Sequence, residues 1–180
     1  MEERDGRLLD RKEIFAGRTV RLSVDRVELP NGMAVDLERI HHAGAAAIVP
    51  LTADGDVLMV RQYRWATGGW LLELPAGKLD HPGEPPEACA ERELEEETGH
   101  RAGRLEPLGW IWSSPGFADE RIWLYLATDL TPTLQVLEAD EVLHVVRLPL
   151  AEAVSRAASG EIPDSKSVCA LLRAGKRLGI

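Results

Sequence analysis

The order of segments along this 180-residue chain predicts an α+β fold with a mixed sheet. Three observations carry that expectation. Strand-like segments fill the first two thirds, one strongly acidic helical segment interrupts them, and two more helical stretches come late, so the regular alternation of a βαβ fold is missing. The length suits one domain, or one core with a small annex. With 44% hydrophobic and 28% charged residues, the composition is that of a folding chain.

The elements follow in order. Residues 20–29 (Val-Arg-Leu-Ser-Val-Asp-Arg-Val-Glu-Leu) alternate apolar and polar, and Pro30-Asn31-Gly32 is a strong turn signal before Met33–Leu37, which reads as a β-hairpin. Residues 42–51 form a compact apolar run suited to a buried strand. Ala53–Asp56 then turns the chain into residues 57–64, so a second hairpin is expected. Trp70–Leu74 reads as a short strand broken by Pro75-Ala76-Gly77, ahead of a loop with Pro82 and Gly83. Residues 85–98 favour helix: prolines open it where a missing N–H costs nothing, acidic residues crowd the first turn, and Gly99 stops it. Residues 105–112 and 121–128 read as strands around the loop Ser113–Asp119, residues 142–149 as a last strand, and residues 150–159 and 165–178 as helices. Cys89 and Cys169 lack any CxxC spacing and are expected to be buried, reduced thiols. Most of the five tryptophans are expected in the core, with Trp65, beside Arg64 in a polar loop, available to stack on a base or to sit at an interface.

Charge is concentrated. Lys and Arg number 21 against 30 Asp and Glu, a net of −9, and residues 84–97 hold seven glutamates and one arginine, so −6 of the −9 falls there. The chain shows no basic patch, which excludes a nucleic acid polymer as partner. No apolar run approaches the roughly 18 residues of a membrane helix, and Met1–Arg7 is too polar to open a secretory signal. A cytoplasmic location without membrane attachment is expected.

A solvated helix face predicts mixed charges four residues apart, because like charges there destabilise by a few tenths of a kcal/mol. Here Glu87–Glu91, Glu91–Glu95 and Glu93–Glu97 are all like-charge pairs, and Arg92 alone offers relief. Glu93, Glu96 and Glu97 fall at i, i+3 and i+4, on one helix face, close enough to share a cation. An all-oxygen ligand set selects a hard ion such as Mg²⁺.

Gly77-Lys-Leu-Asp-His-Pro-Gly-Glu84, seven residues, then Arg92-Glu93-Leu94-Glu95-Glu96-Glu97-Thr98-Gly99 closely resembles the signature of the Nudix hydrolases. That pattern is Gly, five residues, Glu, seven residues, Arg-Glu-apolar-x-Glu-Glu-x-Gly-apolar. The chain departs from it twice: six residues separate Gly77 from Glu84, and His100 takes the final apolar position. The resemblance implies a Nudix-type α/β/α sandwich at residues 42–180, behind N-terminal strands at residues 1–41 that would form a small sheet exchanged between the subunits of a homodimer. It implies that Glu93, Glu96 and Glu97, with the backbone carbonyl of Ala76, hold Mg²⁺ or Mn²⁺. Glu84 would pair with Arg92 as a structural contact, Gly77 and Gly99 completing the motif.

Arg61–Arg64, Leu74–Gly77, Ser114-Pro115-Gly116 with Glu120, and Ile162-Pro163-Asp164 look like the ADP-ribose pyrophosphatase branch of that family. The implied reaction is Mg-dependent hydrolysis of ADP-ribose to AMP and ribose 5-phosphate. Arg64 is the candidate phosphate contact in an otherwise acidic chain, and Glu120 matches a position that assists metal or ribose binding. The general base of that branch falls in Leu137–Glu141, where Glu138, Asp140 and Glu141 all qualify; Glu141 is preferred, then Glu138, with Glu97 the motif's own catalytic carboxylate. Alternatives are another sugar nucleotide or dinucleotide (GDP-mannose, FAD, NADH) and a non-catalytic nucleotide-binding module.

Overall fold

The computed structural model describes residues 4–81 and 83–180. The first three residues of the expected N-terminal segment, and Pro82 of the expected loop, lie outside them. The chain divides into two compact units, Met1–Gly44 with Trp112–Arg121, and Ala45–Ile111 with Ile122–Ile180.

In the first unit, β1 (Arg7–Ala16), β2 (Arg21–Glu28) and β3 (Ala34–His41) form an antiparallel sheet in that order. The β2–β3 hairpin is the one the turn residues predict: Asn31 Oδ1 accepts from the Met33 N–H at 3.0 Å, and Gly32 takes φ +83°, which its missing Cβ permits. β1 has no apolar periodicity and escapes a sequence reading; it forms by pairing with β2 along its length. The Ser113–Asp119 loop is pinned to β3 through Ile40 N–H to Phe117 O at 2.7 Å and Asp119 N–H to Ile40 O at 3.0 Å.

The second unit contains, apart from the strand-end residues Trp112 and Arg121 that belong to the first, β4 (Ala45–Pro50), β5 (Asp56–Arg64), a 3₁₀ turn (Trp65–Thr67), β6 (Gly69–Glu73), β7 (Ala76–Lys78), α1 (Pro86–Thr98), β8 (His100–Arg101), β9 (Arg104–Trp112), β10 (Arg121–Thr128), β11 (Thr131–Pro132), β12 (Leu143–Pro149), α2 (Leu150–Ser159) and α3 (Ser165–Leu178). One sheet runs β7-β4-β10-β9 and is mixed, β4 lying parallel to β10 and antiparallel to β7. A second, antiparallel sheet runs β12-β5-β6, and β8 pairs with β11.

The expected second hairpin is therefore corrected. β4 and β5 stand in different sheets and meet at the isolated bridge Leu51–Val57. Both edges of β4 are already taken by β7 and β10, so β5 finds its partners in β6 and β12.

β4 is buried at all six positions because both its faces are covered. Ala45, Ala47 and Val49 join Leu124, Leu126 and the buried sides of α2 and α3 in one core; Ala46 and Ile48 join Tyr125, Ala127 and Cys89, Ala90 and Leu94 of α1 in another. This is the α/β/α arrangement. Two smaller expectations are corrected: Cys169 is half-buried, unlike Cys89, and Trp70, Trp110 and Trp112 are exposed, as is Trp65 of the polar loop, so that most of the tryptophans lie outside the core. An indole face packs on partly polar neighbours, as Trp112 does under the Arg121 guanidinium at 4.9 Å and Trp70 against Tyr63 at 5.8 Å, so tryptophan content does not count core. Among the described residues no helix is long and apolar enough to cross a membrane.

Candidate metal centre

Helix α1 presents its site because its two burial requirements conflict. Leu94, Cys89 and Ala90 draw one side into the core, and Glu93 and Glu97, one turn apart, are carried in with them at 6% and 1% exposure. Pro85 and Pro86 start the helix; Gly99, at φ +66°, ends it with its N–H on Glu95 O at 2.9 Å. The preceding loop closes onto the helix so tightly that a Cβ on Gly77 would stand 1.9 Å from Glu93 Oε1, which is the steric reason for glycine there.

Arg92 ties loop to helix. Its guanidinium donates to Glu93 at 2.6 Å, Glu96 at 3.0 Å and the Lys78 carbonyl at 3.1 Å, and lies 3.6 Å from Glu84 and 3.3 Å from Asp80. Glu84 accepts the Asp80 N–H at 2.6 Å, fixing the loop in turn.

Glu93, Glu97 and Glu141 converge, each offering a carboxylate oxygen within 4.8 Å of the others. Glu97 accepts the Ala76 N–H at 2.9 Å. Burial, aided by the charges of Glu96 and Glu141, pushes Glu93 up to about 7 in spite of Arg92. Burial and then the neighbouring Glu93 push Glu97 up to about 8. Such a cluster holds protons near neutrality until a cation replaces them, and its all-oxygen donor set suits a hard divalent ion. The residues fit a metal.

The other expected residues fall in several places. Glu96 lies outside the convergent group, bound to Arg92, with its side chain 37% exposed. Glu138 and Asp140 are exposed, and Glu138 contributes its N–H to Glu141 Oε2 at 2.9 Å, a turn that folds Glu141 back over the site. Glu120 belongs to the first unit, 3.4 Å from His42 Nδ1. Arg64 forks onto Glu73 at 2.9 and 2.8 Å, and Lys166 of α3 reaches the same carboxylate at 2.6 Å. Burial opposes ionisation of Glu73, yet these two cations overcome it and hold the carboxyl below its ordinary value.

Glu73 and Lys166 escaped the sequence reading. A single glutamate inside Trp70-Leu-Leu-Glu-Leu74 was the available signal, since a buried strand charge requires a partner; nothing in the sequence marked Lys166. The end of β6 is fixed by Ser167 Oγ, which accepts the Leu74 N–H at 2.7 Å.

The chain matches the NUDIX domain over residues 41–171. It is 38% identical to the ADP-ribose pyrophosphatase of Bacillus subtilis (strain 168) over 173 residues, covering 95% of this chain and 93% of that protein. It is 42% identical to the methanol dehydrogenase activator of Bacillus methanolicus over 173 residues, covering 92% and 93%. A crystal structure of ADP compounds hydrolase superposes with a TM-score of 0.85 at 26% identity, over 99% of this chain and 97% of that one.

Proposed function

The chain belongs to the Nudix family, and from that premise we propose that it hydrolyses the pyrophosphate bond of a nucleoside diphosphate sugar, with ADP-ribose, cleaved to AMP and ribose 5-phosphate, as its substrate. The observation that carries this reading is the convergence of Glu93, Glu97 and Glu141 without enough cationic partners, in a chain closely related to an ADP-ribose pyrophosphatase.

Glu93 and Glu97 would hold Mg²⁺ or Mn²⁺, with Glu96 and the Ala76 carbonyl beside them. The ion would supply charge neutralisation at the phosphate oxygens and a more acidic water. The protein does the rest by placement. The Ala76 N–H fixes the Glu97 rotamer, and Arg92 holds the loop bearing Gly77 against the helix. Glu141 takes the proton of the attacking water, a task worth about 10²–10⁴-fold in general. Arg64, kept cationic and oriented by Glu73, faces the anionic substrate; Glu120 assists metal or ribose binding.

The protein is further proposed to work in the cytoplasm as a homodimer joined through its N-terminal strands. All ten residues of β1 are exposed, including Leu8, Leu9, Ile14 and Phe15, an apolar content that a free strand does not sustain and a second copy would cover. Light scattering at micromolar concentration is expected to give a dimer, and a monomer would contradict it.

The deciding experiment incubates the protein with ADP-ribose, GDP-mannose, FAD and NADH, with Mg²⁺ and with chelator, and measures released mononucleotide. ADP-ribose is expected to turn over fastest, and only with metal. If no diphosphate is cleaved under any metal, the reading is wrong.

A further inference from the structure

Gln62 of β5 is 5% exposed, and its side-chain oxygen is fully buried with no hydrogen-bond partner. A buried acceptor left unmade is costly, and native structures rarely keep one unless a water or ligand supplies the donor. Period-two alternation puts Gln62 on the same face of β5 as Val60 and Arg64. Its cross-strand partners are Leu71 of β6 and Leu143 of β12, neither of which has a side-chain donor. Arg64, on the same face of β5, forks onto Glu73, and Lys166 is bound to Glu73 and Asp164.

The register places this acceptor beside the chemistry. The β5–β12 ladder extends one residue beyond the strand, with the Tyr63 N–H on Val142 O at 2.9 Å. Glu141 precedes Val142, and continuing the alternation of β12 one step past its paired residues puts Glu141 diagonally across from Gln62; its carboxylate converges with Glu93 and Glu97. A substrate pyrophosphate brings only acceptor oxygens to this place, and the carboxylates, once a cation has replaced their protons, are acceptors too. The donor that the reaction brings is water.

We infer that Gln62 positions the attacking water, its carboxamide oxygen accepting a hydrogen bond from one O–H while Glu141 accepts the proton of the other; this rests on the pyrophosphatase reading. As the step proceeds, a lone pair of the water oxygen forms the new O–P bond. The bridging P–O bond breaks, and its electron pair leaves with the departing phosphate. The water's proton passes to the Glu141 carboxylate, and Gln62 neither gains nor loses a proton. A water held at two points meets phosphorus along one line, and losing one point lets it wander; a misplacement of about 1 Å can cost about 10²-fold.

The test replaces the acceptor with an apolar side chain of similar length, Gln62→Leu and separately Gln62→Met, assayed on ADP-ribose with Mg²⁺, beside thermal unfolding of the metal-free proteins. The expected result is a fall in kcat of about 10²-fold with KM changed by less than about threefold. Metal-free Tm should stay level or rise in both variants, because an unmade acceptor has been removed. A kcat within about threefold of wild type overturns the inference, as does a raised KM at unchanged kcat, which would mean that Gln62 binds substrate instead. Unfolding of both variants assigns Gln62 a packing role and overturns it too. If the wild-type protein itself cleaves no sugar nucleotide, the pyrophosphatase reading has failed; if it cleaves ADP-ribose and the variants match it, this inference alone has failed.

Discussion

Glu73 of β6 and Glu97 of α1 are both 1% exposed, in the same unit of the molecule, and their surroundings treat them in opposite ways. Glu73 receives a forked guanidinium from Arg64 and an ammonium from Lys166, and its carboxyl ionises more readily than a free one. Glu97 receives a backbone N–H from Ala76, faces Glu93 and Glu141, and is pushed up to about 8. Burial is the same; the supply of cations differs. A buried charge that the chain neutralises itself is framework, whereas one left unneutralised is completed by something from outside.

The sharpest way to break this contrast is Glu97→Gln. A site that uses the carboxylate to hold a divalent ion loses several kcal/mol of transition-state stabilisation, so kcat on ADP-ribose is expected to fall about 10³-fold. The metal-free protein should keep or gain stability, because one of three mutually repelling carboxylates has gone. A variant that stays active, or one that loses stability without metal, would put Glu97 in the same class as Glu73.

Glu73→Leu is the complementary change. It strands Arg64 and leaves Lys166 with Asp164 alone, and breaking a buried pair costs about 3–5 kcal/mol, here nearer the lower end because the Arg64 side chain is 38% exposed and Lys166 keeps Asp164 at 3.0 Å. A drop of about 6–12 °C in Tm is expected at this chain length, with or without metal. Urea unfolding with the same slope and a lower midpoint would identify the loss as stability alone.

Proton linkage gives the contrast a signature of its own. In the metal-free protein Glu93 and Glu97 are raised from 4.5 to about 7 and about 8, so the native state holds protons that the unfolded chain releases. Stability is then expected to fall as pH rises from about 4.5 to about 8 and to level off above. Mg²⁺ should abolish the fall, since it binds the deprotonated carboxylates more tightly as pH rises. Glu73 contributes with the opposite sign: its carboxyl is lowered, so its stabilisation is present above 4.5 and lost as pH falls through its lowered value. A metal-free Tm that climbs between pH 5 and pH 8 would contradict the assignment of the α1 carboxylates.

How much of this was legible in the sequence depended on whether the signal was local. Helix α1 and its carboxylates announced themselves through like charges at helical spacing, and β4 through an unbroken apolar run. Partner choice was not local. The run at residues 57–64 was visible as a strand, but nothing within it told that β6 and β12 would pair with it in place of β4. Glu138, Asp140 and Glu141 were equivalent as letters, and only the turn in which the Glu138 N–H caps Glu141 carries one of them to the site. Lys166 reaches Glu73 across 93 positions, a separation that no spacing rule spans.

Asp25 extends the comparison to the other unit, with the smallest expected effect. This carboxylate of β2 is 3% exposed and belongs with Glu73: Arg11 forks onto it at 2.7 Å through both nitrogens, and the Ser23 hydroxyl donates to it at 2.7 Å. The Arg11 hydrogen bonds, with Ser23 helping, outweigh burial and bring its carboxyl down from 3.8 to about 2. The folded value is the lower one, so the stabilisation is complete above pH 3.8 and drains away as pH falls through 2. Arg11 is 41% exposed, so water screens the pair and the contribution is about 1 kcal/mol. Asp25→Asn is therefore expected to lower Tm by about 2–4 °C at pH 7, the difference from wild type closing as pH approaches 2, with kcat unchanged. A difference that stays constant from pH 7 to pH 2 would mean that Asp25 acts through shape and not charge, and would confine the rule of self-neutralised buried carboxylates to the unit that holds Glu73.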